Sequence, residues 1–513
     1  MERKLWMLVV CFAFSLMGAQ ITEQKMDELI QKTLKTFDVP GISVGVIKDG
    51  QVVYAKGMGV KSLNSQLPMK KETLVGIASN SKAFTCVALG MLVDEGKLSW
   101  DDKVSKHIPE FQMYDPYVSQ EITIRDLVTH RAGLGLGQGD LMFFPEGGSL
   151  SIKDIVYNVR YLKPKNAFRT TLDYNNIMFI VAGEVISRIS GLSWAEFIEQ
   201  RIMKPVGMTA SYGSYNRAAK ADKISAHAPV DGKIVEIPHD WNETANAAGG
   251  IMSNIPDMLT WANFVMNGFT TKDGKKLLSD KQARELWTLQ ISSPVGANNP
   301  YDSKFYGYGL GWFLTDVRGK LQVQHSGGLI GTVTHFTLIP ELKLGIVVLT
   351  NQQSGAAFTA ITNTVKDAYI GGEARDWVTY YGERQKKADA YYHKQKTEAY
   401  AKAAAFAKDK NAQLKDEQFV GSYKDVWFGE VKVLRENGKL RLVCQTSPRL
   451  KGDLIPYSKN SFIIKWDDRS YDADAYFILN FDEKEKATSA RLKPISDITD
   501  FSFDFEDLDL QRL

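Results

Sequence analysis

The spacing of apolar positions changes several times along the chain. From Ile42 to Val60, apolar stretches flank Lys48-Asp49-Gly50, which predicts two strands joined by a tight hairpin. From Ser79 the spacing turns helical. Phe84, Val87, Ala88, Met91 and Leu92 recur at helical intervals and Gly96 closes the run, so Ser79 stands at the start of a buried helix. Tyr174 to Ile189 opens on polar residues and continues with Met178, Val181, Ala182 and Val185, a second helix. Strand-like text returns at Leu321–Gln324, Thr332–Ile339 and Leu344–Leu349. Strands at both ends with helices between them predict an α+β domain. Its one antiparallel sheet would be completed by both ends of the domain, flanked by helices and carrying a helical insertion.

Beyond this domain, Glu383 to Val420 contains neither Gly nor Pro and is rich in Ala and Lys, the pattern of a solvated helix joining two domains. The text is then strand-like to the end. Val431 and Val433 alternate before Asn437-Gly438 and Leu440 and Leu442 follow it, a hairpin signal. Phe462–Trp466, Tyr476–Phe481 and Phe501–Phe505 continue the alternation. Short strands of this kind suit a small closed barrel or a sandwich. The expected division is a main domain over 20–372, a helical linker over 373–412 and an all-β domain over 413–513.

Residues 1–19 read as a secretory signal. Arg3 and Lys4 precede an apolar stretch from Leu5 to Met17, and Gly18-Ala19 offers a cleavage point. The stretch is short for a membrane span, which needs about 20 apolar residues. An uncleaved anchor is the alternative. The expected location is periplasmic or secreted, with no stable membrane insertion after cleavage.

The 513 residues are 44% hydrophobic and 24% charged, a globular balance. A net charge of +3 gives no strong pull toward nucleic acid. Cys86 and Cys444 are too far apart in the expected domains to suggest a disulfide and read as buried thiols. His227, His239 and His335 show no metal-ligand spacing, so neither metal nor cofactor is expected. Gly135-Leu136-Gly137-Gln138-Gly139 lacks phosphate-binding spacing and reads as a loop.

Three short motifs carry the chemistry: Ser79-Asn80-Ser81-Lys82, Tyr174-Asn175-Asn176 and His325-Ser326-Gly327. They supply a nucleophile with an amine one turn away, a phenol beside an amide, and a strand edge for an acyl substrate. Ser79 at a helix start would gain from unpaired backbone amides. Lys82, three residues on, faces the same way. A lysine removes a serine proton only if its pKa falls far below about 10.4, which requires burial or neighbouring cations. Ser81 is the competing nucleophile but lacks the three-residue spacing. Tyr212 and Trp312 are expected to line the cleft, and Gly307–Trp312 to shape the approach to the third motif.

The motifs and their order resemble the serine β-lactamase and penicillin-binding protein superfamily, in its class C β-lactamase, DD-peptidase and esterase branch. Val39-Pro40-Gly41, Ile122–His130, Pro205–Met208, Ala248–Ser253 and Leu349-Thr350-Asn351 share the likeness, which covers roughly residues 22 to 370. The resemblance implies Ser79 as nucleophile, with Lys82 and Tyr174 as proton carriers. It implies Asn176, His325, Ser326 and Gly327 as substrate-binding, the N–H groups of Ser79 and Gly328 as the oxyanion site, and His130 as structural. His325 departs from the lysine of true class C β-lactamases. A histidine is only partly charged near neutrality, which argues against potent β-lactam hydrolysis. The carboxy-terminal tail resembles a lipocalin-like barrel, expected to restrict or extend the cleft, or to support oligomer contacts, without supplying chemistry.

The function expected from all this is an exported serine hydrolase acting through a Ser79 acyl-enzyme on a small-molecule or peptide substrate. A short-peptide peptidase of the DD-peptidase or D-aminopeptidase kind comes first. A carboxylesterase or weak β-lactamase, and a non-catalytic acyl-binding sensor, are the alternatives.

Overall fold

A computed structural model describes residues 21–239, 241–297, 299–371, 374–409 and 412–513. The segment read as a signal lies outside the described residues. Eight strands form the main sheet: β1 (Gly41–Lys48), β2 (Gln51–Gly59), β3 (Ile291–Ser293), β4 (Tyr306–Tyr308), β5 (Phe313–Val317), β6 (Lys320–Leu329), β7 (Thr332–Ile339) and β8 (Leu344–Thr350). Their order is β2-β1-β8-β7-β6-β5-β4-β3, with every pairing antiparallel. Both ends of the domain meet inside the sheet, where Ile42 pairs with Thr350 and Lys48 with Leu344. The β1–β2 turn has positive φ at Asp49 (51°) and Gly50 (77°), the tight-turn geometry that matches strand twist.

Helix α1 (Glu23–Thr36) and helix α4 (Gly355–Ile370) cover one face, with Met26, Ile30, Ala357 and Ile361 buried against Val44, Val46, Ile346 and Val348. The inserted helical region covers the other. Its centre is α2 (Ser81–Asp94), buried from Ser81 to Leu92, with Phe84 stacked on Trp261 at 3.8 Å between ring centroids. Beside it runs α3 (Asn176–Ser190). The Asn175 side chain accepts from Met178 N to cap its start, and Gly191 (φ 72°) ends it.

The linker helix α5 (Trp377–Phe406) starts earlier and stops sooner than the sequence suggests. The Asp376 carboxylate caps its first turn, a start signal that outweighs Gly382. It is also less solvated than expected. Ala399 and Ala403 pack on Ile463, and Tyr400 donates to Asp474 at 2.7 Å. Eight strands then close a barrel: β9 (Gly421–Asp425), β10 (Gly429–Glu436), β11 (Lys439–Cys444), β12 (Lys451–Ser458), β13 (Ser461–Trp466), β14 (Ala475–Phe481), β15 (Ala487–Pro494) and β16 (Leu510–Arg512). Tyr423, Phe462, Trp466, Phe477 and Phe505 are among its packed core residues.

One expected strand is absent. Phe501–Phe505 alternates in sequence, yet residues 501–504 are irregular and Phe505 opens a short 3-10 turn. Phe503 and Phe505 turn into the core, while Ser502 and Asp504 bond residues of the first domain instead of a neighbouring strand.

Candidate active site

Ser79 lies in a 3-10 turn (Ala78–Asn80) that leads directly into α2. Its Oγ is 3.0 Å from Lys82 Nζ. Lys82 is fully buried, and its Nζ also donates to Asn176 Oδ1 at 2.7 Å and to the Ala248 carbonyl at 2.8 Å. These two oxygens can only accept, so each takes one N–H and the third position of the nitrogen faces Ser79. Burial pulls the lysine down from 10.5 to about 7, against the opposing pull of Asp140. A free amine held this way turns its lone pair toward the serine proton. Ser81, the rival hydroxyl, faces inward and accepts from Ile251 N at 3.1 Å.

Tyr174 packs its ring 4.9 Å below Lys82 Nζ. Its hydroxyl is buried beside the Ser79 hydroxyl, outside full hydrogen-bond geometry. Burial raises its pKa, while the nearby Ser79 hydroxyl pulls the other way. His130 (φ 56°) packs against Tyr174 with the rings tilted and 4.2 Å between centroids, and its Nδ1 accepts from Asn175 N at 3.0 Å. It holds the loop that carries the second motif.

The third motif lies on β6. Pairing with β5 stops at Gln324, whereas pairing with β7 continues to Leu329. Residues 325–329 thus have one edge free of strand pairing among the described residues, an edge on which an extended chain can lie. His325 is buried, and burial pulls its pKa to about 3. Its Nδ1 meets the Ser326 carbonyl at 2.6 Å, which can only accept, so Nδ1 carries the proton and Nε2 accepts from Tyr308 Oη at 3.0 Å. The ring is neutral rather than partly charged. Ser326 and Gly328 border the cleft. Gly327 faces the other way: an added Cβ would stand 2.3 Å from the Ile77 carbonyl and 2.9 Å from Ala78 Cβ. Its smallness lets β6 approach the Ser79 turn.

The cleft is a cavity of about 1620 Å³ bounded by both domains and the linker helix. Phe313 and Trp241 line it, whereas Tyr212 and Trp312 do not. Trp312 points into the core against Phe336 at 5.7 Å from the bend just before β5, whereas Phe313, which opens that strand, reaches the cleft. Tyr212 belongs to a small cluster with Leu74 and Met252.

Sequence reasoning passed over two groups that the fold adds. Asp140 is fully buried and accepts from Asn176 Nδ2 at 2.8 Å. Ser502, from the C-terminal domain, donates to the same Asp140 oxygen at 2.9 Å. Nothing local in the text marks either, since each meets a partner distant in sequence. No group of three or more His, Cys, Asp or Glu residues suited to a metal occurs among the described residues. No single helix among them is long and apolar enough to cross a membrane.

A family model described as Beta-lactamase matches residues 26–369, and one described as Domain of unknown function (DUF3471) matches residues 407–512. Unguisins hydrolase ungD' of Aspergillus campestris is 29% identical over 384 residues, spanning 71% of this chain and 70% of that protein. Protein flp of Staphylococcus aureus is 28% identical over 340 residues, 65% of this chain and 64% of that protein. In fold, the octameric penicillin-binding protein homologue from Pyrococcus abyssi matches 95% of this chain and 99% of its own, with a TM-score of 0.61 at 22% identity. A class C beta-lactamase mutant matches 67% of this chain and 95% of its own, with a TM-score of 0.54 at 21% identity.

Proposed function

The chain belongs to the Beta-lactamase family and is a serine hydrolase, and from that premise we propose that it is an exported peptidase cleaving short peptides through an acyl-enzyme on Ser79. The observation that carries this reading is the Lys82 amine, pinned by two carbonyl acceptors with its third position 3.0 Å from Ser79 Oγ. Lys82 takes the Ser79 proton as Oγ bonds the substrate carbonyl carbon. The oxyanion forms within reach of the Ser79 and Gly328 N–H groups, which border the same cleft. The C–N bond then breaks, and the leaving amine takes a proton delivered through Tyr174. Water repeats the sequence against the ester and frees Ser79.

Two features favour a peptide over a small ester or a β-lactam. The free edge of β6 suits an extended backbone, and the cavity has room for several residues. A neutral His325 offers no cation for a β-lactam carboxylate. Ser326, on the free edge of β6, would hold the acyl portion, whereas the His325 ring nitrogens are committed to Tyr308 and the Ser326 carbonyl, and the Asn176 amide to Lys82 and Asp140. The amino-terminal signal pattern supports export to the periplasm or beyond.

The test is labelling of the pure protein with a fluorophosphonate, followed by peptide mapping and turnover of short peptides (including ones with a D-residue), esters and β-lactams. Label on Ser79 and fastest turnover of a peptide are expected. Label on Ser81 or Ser326 would sink the nucleophile assignment, and ester turnover exceeding every peptide would favour an esterase.

A further inference from the structure

The first domain does not complete its own active site. The C-terminal domain sends residues 498–503 into the cleft wall. The fit is close: a Cβ on Gly137 would stand 2.6 Å from the Phe501 carbonyl oxygen. Asp504 accepts from Gly139 N at 2.6 Å and from Leu141 N at 3.1 Å, so it grips the loop on both sides of Asp140. Ser502 Oγ donates to Asp140 Oδ2 at 2.9 Å, and that oxygen also accepts from Asn176 Nδ2 at 2.8 Å. Asn176 Oδ1 then accepts from Lys82 Nζ at 2.7 Å. An unbroken chain of buried hydrogen bonds runs from Ser502 to the amine beside Ser79.

We propose that Asp140, held by Ser502 of the C-terminal domain, is a positioning residue that acts through Asn176 on Lys82, making that domain a working part of the proton relay. The proposal rests on the acyl-enzyme reading above.

An amide has a donor end and an acceptor end. With its Nδ2 committed to Asp140, Asn176 must turn Oδ1 toward Lys82, which fixes where the amine's protons point. The arrangement also places a buried carboxyl one side chain away from a buried amine. Burial raises Asp140 to about 7, while the bonds from Asn176 and Ser502 and the charge of Lys82 favour its anion. Asp140 Oδ1 is buried without a partner among the described residues, free to take that proton. Amine and carboxyl therefore titrate as a unit.

Other charges face this pair. Asp500 and Asp504 come from the C-terminal domain, both raised by burial, with Asp507 acting on Asp504. Cys86 lies on the same helix as Lys82. His130 and His325 are held neutral in part by Lys82. Of these, Asp140 is the one anion whose charge raises Lys82 through a bonded side chain.

The sign follows. An anionic Asp140 stabilises the Lys82 ammonium, so removing its charge lowers the pH at which the free amine appears. In full-length Asp140→Asn, the acid limb of Ser79 labelling by a fluorophosphonate should move down by about one pH unit. Ser502→Ala removes a bond that favours the Asp140 anion, so its limb should move the same way by less. A structural role alone would change the plateau rate and leave the limb in place.

The measurement is labelling rate against pH for the wild type and both variants, with circular dichroism to confirm folding. A downward shift in Ser502→Ala, and in Asp140→Asn where that variant folds, supports the proposal. A limb that stays put or moves up in folded Ser502→Ala overturns it, whatever happens to the plateau. If the wild type takes no label on Ser79, the acyl-enzyme reading falls and this proposal falls with it. Label on Ser79 with unmoved limbs sinks this proposal alone.

Discussion

Lys82 Nζ lies 3.0 Å from Ser79 Oγ in a position fully shut off from solvent. That relationship sets the pH at which the site works. Burial pulls the amine from 10.5 to about 7, so the free base appears as pH rises through that value. The labelling rate of Ser79 should therefore climb through about pH 7 and level off above it. His325, held near 3 by burial, adds no limb of its own above pH 5. A rate already flat from pH 5 upward would contradict the assignment of Lys82 as base.

Lys82→Ala and Tyr174→Phe should each lower peptide turnover by roughly 100-fold or more if they carry protons. The tyrosine variant should keep its fold, because the lost hydroxyl faces the Ser79 hydroxyl and makes no bond that holds an element in place. Steady-state rates alongside thermal melts would check both. Near-normal rates in both variants would end the relay reading.

Much of this site was legible in the text because it is local. Ser79 and Lys82 sit one turn apart, and Tyr174 and Asn176 bracket the first residue cap of α3. The hairpin at Asp49-Gly50 was legible for the same reason. Asp140 and Ser502 were not, since 362 residues separate them and neither stands in a motif. Phe501–Phe505 misled through its alternation. Period two says which side chains turn inward, but not whether the backbone finds a strand to pair with. Trp312 and Phe313 differ by one position, and the bend ahead of β5, which no motif marks, leaves the second of them at the cleft.

Gly327→Ala tests how closely the third-motif strand must approach the nucleophile. The new methyl would stand 2.3 Å from the Ile77 carbonyl, a backbone atom that cannot swing aside. The Ser79 turn must shift, at a cost of about 1–3 kcal/mol in stability. Activity should fall by roughly 100-fold, as expected when a reacting group is misplaced by about 1 Å. Gly328→Ala, with open space around its added Cβ, should be the milder change. Equal effects on melting temperature and labelling in the two variants would refute this account.

A second buried amine, on helix α4, should leave its mark on stability. Lys366 donates to Gln322 Oε1 at 3.1 Å and lies 4.0 Å from the centre of the Tyr301 ring. Burial lowers it from 10.5 to about 7. Between these values the unfolded chain binds more protons than the folded one, so stability rises with pH across that window. Below about 7 the full cost of burying the amine is present. Lys366→Met should flatten the rise by about 1 kcal/mol per pH unit. Lys82 has the same sign and keeps some slope. Denaturant melts at pH 7 and 9 would measure it, and an unchanged slope in the variant would mean the amine is not titrating there.

Phe501 should govern which acyl groups the cleft accepts. It comes from the C-terminal domain, lies 6.1 Å from the Tyr174 ring in an edge-on contact and is 40% exposed. Leu136, 54% exposed, also lines the cavity, as does Phe313. Exposed apolar side chains gathered at a cleft mark a place where apolar substrate surface is buried. Each methylene that a substrate buries there is worth about 0.8 kcal/mol. Phe501→Ala should thus raise KM for long-chain acyl esters by roughly 10-fold relative to the acetyl ester, a gap of about 1.4 kcal/mol. The acetyl ester should keep its kcat, because no reacting atom is lost. A uniform change in KM across chain lengths would show that Phe501 braces Tyr174 and does not meet the substrate.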